Sequence, residues 1–137
     1  MSKTNKKSGN HPLDVLIIGM GFSGICAAIK LIENDIKNIA IYEKSDDIGG
    51  TWHDNTYPGA ACDVPSHLYS FSFAPNPDWS RVYSKQAEIK QYLKNVVTDY
   101  DLLDYANFSC QVSRIILNED SGLWEVEFAD NKVVHAH

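Results

Sequence analysis

The sequence has few basic residues and no long apolar run, and each shortage argues against a class of protein. Lysine and arginine total 12 against 18 aspartate and glutamate residues, which gives a net charge of −6, and the chain has no basic stripe. A nucleic-acid partner is therefore not expected. No apolar run approaches the ~18 residues that a membrane-spanning helix needs, so neither a transmembrane segment nor a membrane partner is expected.

Cysteine is also scarce. The three cysteines are an odd number at no metal-ligand spacing: Cys26, Cys62 and Cys110. This pattern predicts no metal site and unpaired thiols in a reducing cytoplasm. The first eleven residues are polar and lack the apolar core of a signal peptide. We expect residues 1–12 to be a disordered polar tail and residues 13–137 to form one domain.

What the chain does contain is a glycine-rich turn between a strand and a helix. The strand, Val15–Ile18, is apolar throughout and is followed by Gly19-x-Gly21-x-x-Gly24. An all-apolar strand predicts burial on both faces in a parallel sheet. The first glycine permits a tight turn, the second lets a pyrophosphate approach the main chain, and the third lets the helix pack closely on the strand. Free N–H groups at the helix N-terminus would face the phosphates.

Such a glycine pattern is weak evidence alone, so the surrounding chain decides its meaning. After it, apolar residues recur at helical spacing: Phe22, Ile25, Cys26, Ile29 and Ile32. A second apolar strand, Ile39–Tyr42, ends at Glu43, 19 residues beyond Gly24, where a ribose-binding carboxylate belongs. The alternative is a glycine-rich turn in an ordinary α/β domain. The complete βαβ unit favours a dinucleotide site of the Rossmann type.

The acidic residue also limits which dinucleotide fits. A carboxylate at Glu43 can accept hydrogen bonds from both ribose hydroxyls but repels a 2′-phosphate, which favours FAD or NAD over NADP. The glycines outside the fingerprint cannot form a second one: Gly9, Gly49, Gly50, Gly59 and Gly122. One dinucleotide therefore fits within these 137 residues.

Beyond the βαβ unit the pattern changes several times. Residues 44–63 are rich in turn residues, typical of a long functional loop. Residues 68–73 alternate between polar and aromatic, which predicts a short strand or extended segment. Ser84 is expected to cap a helix whose apolar stripe ends at Tyr100. Alternation near the end predicts antiparallel strands over 108–117 and 123–128, and the start of another at Val133.

In this region the sequence resembles a known family. The stretches that carry the resemblance are Gly19–Gly24, Glu43-Lys44, Gly49-Gly-Thr-Trp52, Tyr57-Pro-Gly59, Cys62-Asp63 and residues 66–73. They are similar to the N-terminal part of the class B flavoprotein monooxygenases, most of all to the Baeyer–Villiger monooxygenases. The resemblance implies an α/β fold, a three-layer, Rossmann-like FAD-binding domain with a β-hairpin or meander, truncated at its C-terminus.

The resemblance also implies how FAD is held. Glu43 would hold the adenosine ribose, and the backbone of Val112 would meet the adenine. Gly50, Thr51 and Trp52 would line the ribityl and pyrophosphate portion. Tyr69 would be a further contact, and residues 61–63 would lie beside the isoalloxazine ring and near the nicotinamide. The full set implied is Gly19, Gly21, Phe22, Ser23, Gly24, Glu43, Lys44, Gly50, Thr51, Trp52, Ala61, Cys62, Asp63, Tyr69 and Val112.

Asp63 is the one catalytic residue that the resemblance implies. In the family this aspartate pairs with an arginine from a later part of the chain, and the arginine stabilises the negative peroxyflavin and its adduct with a ketone. The physics agrees, because a carboxylate fixes a guanidinium through charge-assisted hydrogen bonds and a fixed cation stabilises developing negative charge. The alternative role for Asp63 is an Asx-turn or helix cap after a Pro-Gly loop.

The resemblance covers only the beginning of the family's chain. Members also carry an NADPH domain and the partner arginine, so we expect these 137 residues to be a fragment that is inactive alone. In a complete parent, NADPH would reduce FAD, and O2 would give a C4a-peroxyflavin that inserts oxygen beside a ketone carbonyl, forming an ester or lactone. Two alternatives stay open: a non-catalytic FAD- or nucleotide-binding module, and a parent that oxygenates nitrogen or sulfur.

Overall fold

A computed structural model of the protein describes residues 11–137. Residues 1–10, most of the expected N-terminal tail, lie outside the described residues. The elements in chain order are β1 Val15–Ile18, α1 Phe22–Glu33, β2 Ile39–Tyr42, α2 Thr51–Asp54, α3 Gln86–Asp99, a 3-10 helix Leu102–Tyr105, β3 Ala106–Asn107, β4 Val112–Asn118, β5 Leu123–Phe128 and β6 Val133–Ala136.

Strand β2 lies at the centre of the molecule. It pairs in parallel with β1 on one side and with β3 on the other, and all of its residues are buried. Alternate residues of a strand point to opposite faces. Ile39 and Ile41 belong to the core shared with α1 and α3, whereas Ala40 and Tyr42 pack with Val126 and Phe128 of β5.

Strands β4, β5 and β6 form the antiparallel meander that covers the second face of the parallel sheet. A short parallel bridge joins the meander to the segment before β1: Leu13 N donates to His135 O over 2.9 Å, and His137 N donates to Leu13 O over 3.0 Å. Helices, parallel sheet and meander thus make three layers, as the resemblance implied.

Two of the expected strands are wrong in whole or in part. Residues 68–73 form turns, in which Phe71 N donates to the Tyr92 hydroxyl over 2.8 Å. The alternating pattern arises from aromatic side chains that pack in the core, where Tyr69 and Phe71 contact Phe22. The expected strand 108–117 is confirmed from Val112 onwards, whereas residues 108–111 connect β3 of the parallel sheet to β4 of the meander.

The expected helix cap at Ser84 is wrong as well. Helix α3 follows Lys85, which makes no side-chain cap hydrogen bond. Ser84 is fully buried, and its hydroxyl instead accepts a 2.8 Å hydrogen bond from Ser66 Oγ. The predicted stripe on α3 is confirmed, with these residues buried: Ile89, Tyr92, Leu93, Val96 and Val97.

Strand β1 is less enclosed than its apolar sequence predicted. Ile18, the last residue of the strand, is 52% exposed, and within residues 11–137 the strand has β2 as its single strand neighbour. The three cysteines are free thiols. In the part of the chain that the structure describes, none of the helices has the length and apolar character needed to cross a membrane.

Candidate nucleotide-binding site

Two cavities meet where β1 passes into α1. One has a volume of about 350 Å³ and the other about 400 Å³. Their shared wall is formed by Ile18, Gly19, Gly21, Gly50 and Thr51. Both open at the carboxyl end of β1, which is where ligands bind in open parallel sheets. The glycine turn therefore borders a continuous crevice.

The N-terminus of α1 faces the first cavity. Its cap residue, Gly21, has no side chain to occupy the first N–H groups, and the first turn carries no acidic residue. Phe22, Ser23 and Gly24 of that turn line the 350 Å³ cavity. Unpaired N–H groups and the helix dipole make such an end attractive to an anion.

Two glycines of the turn are required by the backbone itself. Gly19 has a φ of +92°, which side-chain-bearing residues rarely adopt. At Gly24 a Cβ would lie 2.0 Å from the Gly19 carbonyl oxygen. Only glycine lets the helix approach β1 this closely, as its place in the fingerprint predicted.

Glu43 lies at the end of β2 and lines the 400 Å³ cavity. It is 4% exposed, and its carboxylate accepts one hydrogen bond at each oxygen: Met20 N donates to Oε2 over 2.7 Å and Ser45 N donates to Oε1 over 2.8 Å. A carboxylate has about four acceptor positions. The two backbone bonds fix the orientation of Glu43 and leave capacity for two hydroxyl donors in the cavity.

The rim of the same cavity contains residues that the sequence did not single out. Lys44 lines the cavity as expected. Its Nζ lies 3.3 Å from Oδ2 of Asp54, an unexpected residue that also lines the cavity. Val112 lines the opposite wall, as the resemblance implied, together with Gln111. Asp54 and Gln111 carried no local signal, because their positions depend on how α2 and the β3–β4 connection pack.

Aromatic side chains line the outer part of the 350 Å³ cavity. Trp52 Nε1 donates to the Tyr69 hydroxyl over 3.2 Å, and the two rings meet edge to face with centroids 5.8 Å apart. Phe22 packs on Tyr69 at 4.9 Å. Trp52 is held from behind, since its carbonyl accepts a hydrogen bond from Gln86 of α3. All three rings line the cavity.

The structure does not bring the remaining predicted residues into either cavity. Ala61 and Asp63 are exposed, whereas Cys62 is buried and its N–H donates to Ser84 O over 3.0 Å. Within residues 11–137 the Asp63 carboxylate has no hydrogen-bond or ion-pair partner, so the alternative role as a turn or cap residue gains no support. The other predicted cofactor residues all line at least one cavity.

A family comparison agrees with this geometry. Residues 17–85 match the family model described as an NAD(P)-binding Rossmann-like domain, and the chain belongs to that family. Its resemblance to flavin-dependent monooxygenases is confirmed by individual relatives. It is 46% identical over 113 residues to a Baeyer–Villiger monooxygenase of Streptomyces coelicolor, covering 82% of this chain and 22% of that protein. It is 45% identical over 119 residues to the FAD-binding monooxygenase stcW of Emericella nidulans, covering 85% and 20%.

Solved structures show the same likeness. An oxidized steroid monooxygenase bound to NADP superimposes with a TM-score of 0.86 at 33% identity, covering 92% of this chain and 25% of that one. A cyclohexanone monooxygenase bound to ε-caprolactone gives 0.84 at 39% identity, covering 92% and 25%. The chain thus spans about a fifth to a quarter of the relatives it matches.

Proposed function

We propose that the chain is the FAD-binding portion of an NADPH- and O2-dependent monooxygenase of the Baeyer–Villiger type. The observation that carries the proposal is one crevice with an uncapped helix N-terminus in its wall and the buried carboxylate of Glu43 at one end. An anion and a ribose diol are the two groups that such a crevice recognises. A dinucleotide contains both groups.

The 400 Å³ cavity suits the adenosine half of FAD. Glu43 has acceptor capacity for the ribose hydroxyls, and its negative charge disfavours a 2′-phosphate. We assign the adenine to the wall formed by Gln111 and Val112, with Lys44 at the rim. The pyrophosphate would then lie against Gly19, Gly21 and Gly50, which the two cavities share.

The 350 Å³ cavity suits the ribityl chain and the approach to the flavin ring. Ser23 and Thr51 offer hydroxyl groups there, and Trp52 and Tyr69 offer aromatic surface. The chemistry supplied by FAD when bound is hydride acceptance and oxygen activation at its ring. This chain's own residues bind the cofactor, fix its orientation and enclose one side of it.

Asp63 is proposed to act at the reacting end. Its carboxylate is exposed and unpaired within residues 11–137, so it is free to hold a guanidinium supplied by more of the polypeptide. A cation fixed in this way would stabilise negative charge that develops during oxygen transfer. Residues 61–63 are proposed to flank the flavin ring and the nicotinamide.

We propose that the ketone, NADPH and O2 are used by a longer polypeptide that contains this chain. One relative is a steroid monooxygenase bound to NADP and another is a cyclohexanone monooxygenase. These names support a carbonyl compound as the substrate, in preference to a compound oxygenated at nitrogen or sulfur. The chain contains one dinucleotide fingerprint, so we expect residues 1–137 alone to bind flavin without turnover. The free thiols support a cytoplasmic location.

The test is a titration of the purified chain with FAD, followed by aerobic addition of NADPH and cyclohexanone. We expect retained yellow colour, quenched flavin fluorescence and no ketone-dependent NADPH oxidation. Absence of FAD binding would overturn the proposed cofactor. Rapid ketone-dependent NADPH oxidation would overturn the expectation that the chain alone is inactive.

A substitution at Gly21 tests where the pyrophosphate lies. A Cβ there would lie 3.6 Å from Gly50 Cα, an ordinary contact, so Gly21→Val fills the crevice while leaving the core in place. We expect it to abolish FAD retention. The matched control is Gly122→Asn in the β4–β5 turn, where φ is +69° and nothing lies within 4 Å of a Cβ; asparagine tolerates that backbone.

A further inference from the structure

A cluster of charged side chains lies beside the Gly49–Gly50 turn, which forms part of the crevice wall. Asp47 forms ion pairs with two lysines of α3. Lys90 Nζ lies 3.0 Å and Lys94 Nζ lies 2.8 Å from Oδ2 of Asp47. The other carboxylate oxygen accepts the Ile48 N–H over 2.9 Å. Lys90 also reaches His53 Nδ1 over 2.8 Å. We call Asp46, Asp47, His53, Lys90 and Lys94 the ion cluster.

The donor and acceptor groups of the ion cluster indicate which nitrogen of His53 carries the proton. A lysine ammonium can only donate, so Nδ1 of His53 must accept from Lys90. Nε2 then carries the proton and points to Asp46, whose Oδ1 lies 3.3 Å away. The side chain of Lys90 is 20% exposed and that of Asp47 33%. The Lys90–Asp47 pair is therefore better shielded from solvent than an ordinary surface ion pair, whereas the side chain of Lys94 is 43% exposed.

The ion cluster joins α3 to the segment that carries Gly49 and Gly50. Asp47 precedes that turn and His53 follows it within α2. Gly49 N donates to Met20 O over 3.0 Å, and a Cβ on Gly50 would lie 3.2 Å from Gly21 Cα. The two glycine turns thus touch, and the second one is held from behind by charged side chains.

We propose that Asp47 is a positioning residue for the pyrophosphate, which it serves by tying the Gly49–Gly50 turn to Lys90 and Lys94. The inference rests on the proposed function, because it presumes a diphosphate between the two turns. Asp47 lines neither cavity, so it acts through Gly50 and Thr51. Burial works to raise the pKa of the Asp47 carboxyl, but hydrogen bonds from Lys94 and Lys90 lower it to about 2. The carboxylate is therefore charged at every pH at which binding would be measured.

The experiment compares ADP with adenosine, which differ by the diphosphate. Dissociation constants are measured by NMR titration of the unchanged chain and of Asp47→Asn. We expect Asp47→Asn to weaken ADP binding about tenfold, about 1.4 kcal/mol, and to leave adenosine binding within about twofold. A purely structural role would weaken both ligands equally, and that result would overturn the inference.

Two further comparisons keep the inference testable if Asp47→Asn folds poorly. Lys94→Gln removes one cation from Asp47 and should lower the ADP-to-adenosine preference by a smaller factor, whereas Lys94→Arg should restore it. Asp35→Asn, which removes an exposed ion pair with Lys37 at the far end of α1, should change nothing. If the unchanged chain binds neither ADP nor FAD, the proposed function fails. If it binds both and Lys94→Gln keeps the same preference, this inference alone fails.

Discussion

The crevice has two walls that are built in different ways. The first, Gly19–Gly24, is continuous in sequence and is held by the backbone, since Gly24 contacts the Gly19 carbonyl directly. The second, Gly49–Thr51, is held by side chains from α3, which lies some forty residues further along the chain. Both walls need glycine, but the second also depends on ion pairs formed behind it by Asp47 with Lys90 and Lys94. Substitutions should therefore affect them differently.

The largest effect is expected in the first wall. Gly24→Val would force a Cβ to within 2.0 Å of the Gly19 oxygen, and helix and strand must separate to admit it. We expect a loss of about 3 kcal/mol in the free energy of unfolding, the upper end of the range for overpacked cores. Urea denaturation followed by circular dichroism measures it. Stability equal to that of Gly122→Asn would contradict the packing described here.

Glu43→Gln tests the carboxylate that lies next to the first wall in the 400 Å³ cavity. The amide keeps one acceptor for Met20 N or Ser45 N but loses the charge. We expect FAD affinity to fall about tenfold, because charge-assisted hydrogen bonds are about twice as strong as neutral ones. The preference for ADP over 2′-phospho-ADP should narrow as well. An unchanged preference, measured by competition against FAD, would mean that Glu43 does not contact the ribose.

A smaller effect on the free energy of unfolding, which depends on pH, is expected for Asp47, the residue that supports the second wall. The pKa of Asp47 is lowered from 3.8 to about 2, so its pairing contributes fully above pH 3.8 and is lost as pH falls through about 2. Asp47→Asn should destabilise the chain by roughly 1 kcal/mol at pH 6 after solvent screening, and the difference should shrink as the pH falls from 3.8 towards 2. Unfolding curves from pH 2 to 6 test this. Asp35→Asn serves as the surface control, and a difference that grows towards low pH would refute the pairing.

The smallest effect is expected at Tyr69. Tyr69→Phe removes the acceptor of the 3.2 Å hydrogen bond from Trp52 but keeps the rings in contact. We expect a cost of ~0.5 kcal/mol in stability and little change in FAD affinity. Thermal unfolding and the FAD titration measure the two. A large loss of flavin alone would assign the hydroxyl a direct contact with the cofactor.

The first wall could be predicted from sequence because its causes are local. The apolar run of β1, the three glycines and the distance to Glu43 lie within one βαβ unit, and the structure brings them together as expected. The second wall could be located only through the family resemblance. Its support comes from Lys90, Lys94 and Gln86, and nothing in their local pattern indicates the distant residues that they contact.

The errors have the same origin. Ser84 is a good helix-capping residue, yet a buried partner, Ser66, takes its hydroxyl. Residues 68–73 alternate like a strand, but the aromatic rings pack as separate anchors and the backbone bonds go to turns and to Tyr92. In each case a long-range contact outweighs the local preference.

The parallel bridge at Leu13 has a consequence for how the fold comes apart. Its hydrogen bonds to His135 and His137 fasten the meander to the strand that leads into the crevice. Opening the meander must therefore release Leu13, which lies just before β1, and we expect the two sheets to open as one cooperative unit. Amide exchange at β5 and at β1 should report the same opening free energy, and a bound dinucleotide should slow exchange in β6, which lines neither cavity.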